Sequence, residues 1–435
     1  MQSTPLAPKL AAAHGGGPTD PSHDEDLRRG IIHTQISRGV AWLLSAAFVG
    51  AIVAVPLSQV YLEHRAGDDS PLLDLFRRKP SVENLRQFEK DIDQASYAKS
   101  YTQPRMQLLL DEYGRAGNKL AVDGRDGWLY YGPGVRHVGG PGFLQQDVQR
   151  SREKAALDAG ESAIHADPRP AILAFHAALA KRGIRLILMP MPDKAALEAG
   201  YLTLGAAPAE RPQNVDFPRF LTELRAQGVA VFDAREGLPE HPAAALYLTQ
   251  DTHWTPTWME HVSQDLARFV TQLVPLPAPV SLPVQHAVAQ PMSRVGDIVD
   301  MLKLPDDQTV FQPQSVVVHQ VQDADGNAWQ SDATADVLLL GDSFSNIFSL
   351  EGMGWGESAG LGPQLSLALG RPLDVIAQND SGAHATRRAL AKELAAGSDR
   401  LAGKRVVIWE FAERELSVGD WQPIDWDAPG KKEAD

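Results

Sequence analysis

The chain reads as an α/β protein built on a mostly parallel sheet with helices on both faces, a three-layer α/β/α arrangement. Two features predict this. From about residue 170, short apolar runs alternate with stretches of helical periodicity, the pattern of strands joined by crossover helices. One of those runs, Val337-Leu338-Leu339-Leu340, leads straight into Gly341-Asp342-Ser343. Parallel sheets place their sites beyond the carboxyl ends of the strands, so Ser343 stands where chemistry is expected. With 435 residues, 43% of them hydrophobic, the chain has ample material for a buried core.

Each element follows from local pattern. Residues 1–30 include Gly15-Gly16-Gly17 with several prolines and charges and are expected to be disordered, within a tail ending at residue 38. Residues 39–57 then carry no charge. At about 1.5 Å per helical residue such a run just crosses a ~30 Å hydrocarbon layer. Trp42 and Tyr61 suit its two interfaces, and the anchor is placed at 39–62. Arg28, Arg29 and Arg38 precede it, which predicts a cytoplasmic N-terminus with the rest of the chain outside the inner membrane. A cleaved signal peptide and a buried core helix are the competing readings. The first lacks a clean A-x-A site, and the second would have no polar face.

Residues 63–119 read as a helical stalk or cap, with Ser81 opening one helix and Pro104 in the first turn of another. Asp126-Gly127-Trp128 is a turn entering a strand. The α/β domain is placed at 120–425. Its strands are expected at Ile184–Met189 (ending at Pro190), Val229–Phe232, Val337–Leu340, Leu373–Ala377 and Arg405–Phe411. Its helices are expected at Ala171–Lys181, Phe217–Ala226, Trp258–Leu273, Leu361–Leu369 and Ala383–Ala396. Residues 274–335 break the alternation and read as an insertion carrying a small antiparallel ribbon, with a hairpin turn at Asp323-Ala324-Asp325-Gly326. This insertion is expected to shape an acceptor site rather than the chemistry. Residues 426–435 form a short tail.

Composition excludes several functions. The chain has no cysteine, hence no disulfide, thiolate metal site or cysteine nucleophile. A net charge of -14 argues against a nucleic-acid binder.

The chemistry-bearing residues form a small set. Ser343 supplies a nucleophile, and Asp251-Thr252-His253-Trp254, just before the helix-start signal Thr255-Pro256, supplies an orienting acid and a base. The competing reading of the serine is a helix N-cap, since Asp342, Ser343 and Ser345 all cap well. The position is not a G-x-S-x-G elbow, because residue 345 is serine. A metal site on Asp251, His253 and His261 is a further alternative, but no H-E-x-x-H or dense ligand cluster supports it. For an oxyanion hole the candidates are the Ser343 backbone N–H and Asn379, the latter equally readable as an ordinary Asx turn. Lys194, Trp254 and Arg414 are candidate substrate contacts. For Lys194 and Arg414, just past strand ends, a plain ion pair is the common alternative.

Four motifs in order carry a resemblance: Asp-Gly-Trp-Leu-Tyr at 126–130, Asp-x-His-Trp at 251–254, Gly-Asp-Ile-Val-Asp-Met-Leu at 296–302 and Gly-Asp-Ser-Phe-Ser at 341–345. Over roughly residues 120–420 the chain resembles the alginate O-acetyltransferase family. The resemblance implies an SGNH-hydrolase-like domain that acetylates an exopolysaccharide of alginate or cellulose type in the bacterial periplasm. It implies Ser343 as nucleophile, His253 as base and Asp251 as its partner, with no metal or nucleotide cofactor. It also implies partners: the polysaccharide acceptor, other exopolysaccharide-complex proteins, and a membrane-bound O-acyltransferase that passes the acetyl group across the membrane. Ordinary SGNH enzymes place an Asp-x-x-His after the serine. Here an Asp-x-His precedes it, so the domain resembles a circularly rearranged version. Little chain follows the last strand, which leaves no room for a C-terminal carbohydrate-binding module and resembles the anchored members. Two other outcomes keep the same residues: a carbohydrate acetylesterase, and a non-catalytic scaffold of the export complex.

Overall fold

The computed structural model describes residues 37–73, 81–112, 117–202, 211–239, 242–278, 285–305, 307–379 and 382–426. The expectations for most of the N-terminal tail, including Arg28 and Arg29, and for the C-terminal tail lie outside the described residues. The chain divides into two units, Met1–Ser100 and Tyr101–Asp435.

In the first unit, the uncharged run lies within one helix, Arg38–Ala66, of 29 residues. Ser37 caps its start and Gly67, in the left-handed conformation, ends it. Trp42, Leu43, Phe48, Val49 and Leu57 are all exposed along it. Its most apolar window has mean hydropathy 2.3, and the helix is long and apolar enough to cross a membrane. Among the described residues, its far end is tied to the following helices. The Gln59 amide donates to Glu63 and to the Ala95 carbonyl and accepts from Tyr97 N–H. A second helix, Val82–Ala95, starts at a Ser81 cap as the sequence predicts. The next, Tyr97–Glu112, starts earlier than expected, so Pro104 stands inside it and not in its first turn. The helix forgoes one backbone bond there and continues on either side.

In the second unit, β1 (Ala121–Asp123) and β2 (Leu129–Tyr131) form an antiparallel hairpin. Its turn uses Asp126 and Gly127, both with positive φ. Then β3 (Arg185–Met191), β4 (Ala230–Val231), β7 (Val337–Gly341), β8 (Asp374–Ala377) and β9 (Val406–Ala412) make one five-stranded sheet. Its order is β4-β3-β9-β7-β8 and every pairing is parallel. β3 runs past Pro190 to Met191. The carbonyl of Leu188 faces β4, so by the strand's two-residue period Pro190 faces the same edge, where β4 has already ended.

Alternate residues of the inner strands face opposite layers, which is why these strands read as unbroken apolar runs. Ile187, Met189, Leu339 and Ile408 pack with Met259, Val262 and Leu266 of helix Pro256–Leu273 and with Leu365 of helix Leu361–Leu369. Leu186, Leu188, Leu340 and Trp409 pack with Phe175 of helix Arg169–Lys181, Phe220 of helix Phe217–Ala226 and Leu390 of helix Ala385–Ala395.

The ribbon in 274–335 is present: β5 (His286–Arg294) pairs antiparallel with β6 (Gln314–Gln322). Asp323–Gly326 is a turn, but it does not join these two strands. It closes a one-bridge loop back onto Gln322, with Asp323 Oδ1 accepting from Asp325 and Asn327 N–H. The ribbon strands are joined through helix Asp297–Leu302, whose Ile298, Val299 and Leu302 pack with Ala121 and Leu129 of the first hairpin.

Candidate active site

The β7 end makes a tight elbow. A Cβ on Gly341 would collide with the Ser345 side chain, so only glycine fits. Asp342 is the cap of the short helix Ser343–Asn346: its Oδ1 accepts Phe344 N–H at 2.8 Å. Its Oδ2 accepts Ala412 N–H at 2.7 Å and pins the elbow to the end of β9. The capping reading thus applies to Asp342 and leaves the Ser343 hydroxyl free for another partner.

That partner is His253. Its Nε2 lies 2.8 Å from Ser343 Oγ, and its Nδ1 lies 2.7 Å from Asp251 Oδ1. The Asp251–His253 loop is short because Tyr247 bridges Trp254, with Leu248 N–H bonded to His253 O and Thr255 N–H to Leu246 O. Thr255 then caps helix Pro256–Leu273. Asp251 and His253 are buried at 1% and 3% exposure, while Ser343 keeps 9%.

Asp251 collects hydrogen bonds from three segments. Oδ1 also accepts His253 N–H, and Oδ2 accepts Asp297 N–H at 3.1 Å and Trp355 Nε1–H at 3.0 Å. Gly296 lets this happen, because a Cβ there would collide with the Gln250 carbonyl. Asp297 in turn accepts from Thr252 N–H and Oγ1–H at 2.7 and 3.1 Å. Asp297 belongs to the 274–335 stretch, so that stretch, expected to shape an acceptor site, is also bonded directly to Asp251 and Thr252.

Burial opposes every charge here; hydrogen bonds and partner charges outweigh it at Asp251 and His253 but not at Asp297. For Asp251, burial raises the pKa, but the His253 bond and charge and the N–H donors hold it well below the usual carboxylate range. For His253, burial lowers the pKa, but the Asp251 bond and charge, then Asp297, lift it above the ordinary 6.5. Asp297 is pushed up to about 6, by burial first and then by Asp251's charge. With Asp251 ionised, Nδ1 carries the imidazole proton and the Nε2 lone pair faces the Ser343 hydroxyl. This is the geometry for removing a proton from the serine. Asp251, His253 and Asp297 place ligand-type atoms within 4.8 Å of one another, but Asp251's lone pairs already receive the donors above. His261, named with them in the metal reading, is exposed and pairs with Asp265 on its own helix.

Two of the expected substrate contacts are corrected. Lys194 is not on a rim. It is 4% exposed, and its Nζ donates to the carbonyls of Leu129, Leu248, Thr249 and Asp251 at 2.6–3.1 Å. It ties β2 to the loop carrying Asp251. Trp254 is 0% exposed. Its Nε1–H donates to Phe344 O at 3.1 Å and its ring packs edge-on against Phe344, so it braces the elbow from behind. Arg414 follows β9 and makes the ion pair held as its alternative, to Asp193 Oδ1 at 3.2 Å. Its guanidinium lies over the Tyr131 ring. Asn379 is exposed just past β8, and its Oδ1 accepts from Asn346 of the elbow helix at 2.8 Å. Asp297 and Trp355 were not singled out for the site by sequence. Asp297 lies in a quoted motif, while Trp355 has only its flanking glycines to mark it.

Fold and site together define an α/β domain of the SGNH-hydrolase-like class, with a strand-end serine against a buried His–Asp pair. The chain belongs to the family described as SGNH hydrolase-like domain, acetyltransferase AlgX, whose model matches residues 121–413. It is 26% identical over 334 residues to a probable alginate O-acetylase AlgJ of Pseudomonas syringae pv. tomato, covering 73% of this chain and 75% of the relative. A protein of the same name from Pseudomonas aeruginosa is 23% identical over 305 residues, 69% and 72% of the two chains. The solved O-acetyltransferase domain of Pseudomonas putida AlgJ aligns at 21% identity and TM-score 0.49, over 69% of this chain and 93% of that one.

Lys194→Met removes a charged donor from four buried carbonyls. It should destabilise the fold by roughly 2–4 kcal/mol, read as a lowered urea midpoint with unchanged slope.

Proposed function

We propose that the chain is an O-acetyltransferase that acetylates an exopolysaccharide through an acetyl-serine intermediate. The observation that carries this reading is the continuous hydrogen-bond line Asp251–His253–Ser343 at the carboxyl end of β7. Family membership supports acetyl as the group moved, and the relatives' names support a polysaccharide such as alginate as acceptor.

In this mechanism His253 Nε2 takes the Ser343 proton as Oγ attacks the donor's acetyl carbonyl. The tetrahedral intermediate collapses, the leaving group takes the proton from His253, and acetyl-Ser343 remains. A sugar hydroxyl then gives its proton to His253 and attacks the ester, which releases the O-acetylated sugar and restores the serine. Asp251 keeps the imidazole in the required tautomer and stabilises its positive form. The Ser343 N–H lies in the first turn after the cap, where a helix has no backbone acceptor for it, and is one proposed oxyanion donor. The Asn379 amide is the other: with Oδ1 held by Asn346, its NH2 faces away from that bond.

We place this chemistry in the periplasm, with helix Arg38–Ala66 as a single-pass inner-membrane anchor and the N-terminus in the cytoplasm. The proposed acetyl source is a membrane-bound O-acyltransferase, since acetyl-CoA does not occur in that compartment.

Replacing Ser343 or His253 by alanine should lower acetyl transfer by roughly 10³-fold or more, and Asp251→Asn by a similar order. A Ser343→Ala, His253→Ala double variant should be little worse than either single one. The check is transfer from an activated acetyl ester to oligosaccharide acceptors, with mass spectrometry of the trapped enzyme. An acetyl label that persists in Ser343→Ala would remove the nucleophile assignment.

The base form of His253 is required, and its pKa is raised. Activity should therefore fall as pH drops, with the acidic limb of kcat/KM centred above 6.5. In Asp251→Asn that limb should move down. A pH–rate profile of both proteins tests this.

Cell fractionation with N-terminal sequencing tests the anchor. The expected product is membrane-bound and retains residues 39–57. A soluble periplasmic product starting beyond residue 57 would rule out the anchor and leave the chemistry untouched.

A further inference from the structure

The elbow rests on a carboxyl group that the mechanism above does not use. Glu410 lies on β9, the middle strand of the sheet, and is 0% exposed. Its Oε2 accepts two hydrogen bonds, from Asp342 N–H at 3.0 Å and from Ser345 Oγ–H at 2.7 Å. These two donors flank Ser343 on either side. Its Oε1 is buried and finds no donor. Asp342, whose backbone N–H Glu410 accepts, sets a second carboxyl against it. Among the described residues, no lysine or arginine pairs with Glu410. The neighbouring charges, Arg414 and Glu415, act on Asp342's side of the elbow.

Two adjacent buried carboxyls do not both ionise, because each charge raises the cost of the other. The donors decide which one keeps the proton. Both oxygens of Asp342 are already taken by backbone N–H donors, Phe344 on Oδ1 and Ala412 on Oδ2. Glu410 has both its donors on one oxygen. A proton on Oε1 turns an unpartnered acceptor into a donor to the Asp342 carboxylate.

We propose that Glu410 is a positioning residue for the acyl-transfer reaction, held as the neutral acid, and that it clamps both flanks of Ser343 through Asp342 and Ser345. The requirement for glycine at 341 fits the same clamp, since a Cβ there would lie 3.1 Å from Glu410 Oε2. An ionised Glu410 would repel Asp342, and the elbow would lose its hold on the end of β9. The role rests on the proposed acyl transfer at Ser343, but the protonation state does not.

Glutamine reproduces the neutral acid: its oxygen accepts from Asp342 N–H and Ser345, and its NH2 donates to the Asp342 carboxylate. Leucine reproduces only the bulk. The full-length protein in detergent is compared with Glu410→Gln, Glu410→Leu and Ser343→Ala by two readouts. The first is the acetyl-transfer assay. Glu410→Gln should keep kcat within about threefold of wild type, while Glu410→Leu should lower kcat about 10- to 100-fold with KM within about twofold. The second is infrared absorption at neutral pH, where wild type should show the C=O stretch of a buried protonated carboxyl and Glu410→Gln should lack it. A folded Glu410→Gln as inactive as Glu410→Leu would overturn the proposal, because it would mean the charge is needed. A wild-type spectrum without that band, or a band unchanged in Glu410→Gln, would overturn it as well, even if the leucine variant fails to fold. Wild type no more active than Ser343→Ala would instead defeat the acyl-transfer reading, and the infrared readout would still decide the state of Glu410.

Discussion

The site depends on keeping one carboxylate charged inside the protein. Asp251 is removed from water, and an isolated buried carboxylate would take up a proton. It stays ionised because donors arrive from three parts of the chain: His253 beside it, Asp297 at the start of the ribbon's connecting helix, and Trp355 on the loop beyond the elbow. Each donor also fixes the segment that carries it. The same bonds that hold the charge therefore set the imidazole ring, and the ring sets the line to Ser343.

The sheet supplies the other half of the geometry. Strand β9 runs on past the end of β7, and the Asp342 side chain joins the turn after β7 to the last residue of β9. Trp254 supports the same turn from behind by accepting no solvent contact at all, giving its N–H to Phe344. Lys194 does similar work for the opposite wall, where one ammonium gathers carbonyls from β2 and from the loop that carries Asp251. Rigid elements thus hold Asp251, His253 and Ser343 in line, and neither the imidazole nor the carboxylate needs to move to meet the serine.

Much of this was legible in the sequence wherever the cause was local. The parallel strands announce themselves because a strand covered on both faces must be apolar throughout, and their bounds fall within a few residues of expectation. Asp251 and His253 are two residues apart, so a tight loop is enough to join them. The serine's place follows from the strand that precedes it. What was not legible comes from distant parts of the chain. Nothing near Trp355 marks it as a partner of Asp251, 104 residues earlier. β1 is three residues with no period to read. Lys194 and Trp254 were read as substrate contacts, Lys194 because it lies just past a strand end, where a parallel sheet places its site. Their burial is decided by carbonyls and rings that only the fold brings close. The turn at Asp323 is genuine, but the pairing of β5 with β6 is set by nine residues of register and not by that turn.

The order of strands has a consequence for biogenesis. β9 is the last strand of the sheet to be synthesised, yet it sits in the middle, between β3 and β7. Until it is made, β3 with β4 and β7 with β8 are two half-sheets whose inner edges each present a row of unpaired backbone groups. Asp251, His253 and Ser343 all precede β9 in the chain, yet the strand that joins their supports comes after them. The sheet is therefore continuous only once β9 occupies the place between β3 and β7. A chain that still lacks β9 would leave both inner edges open to pairing with neighbouring chains.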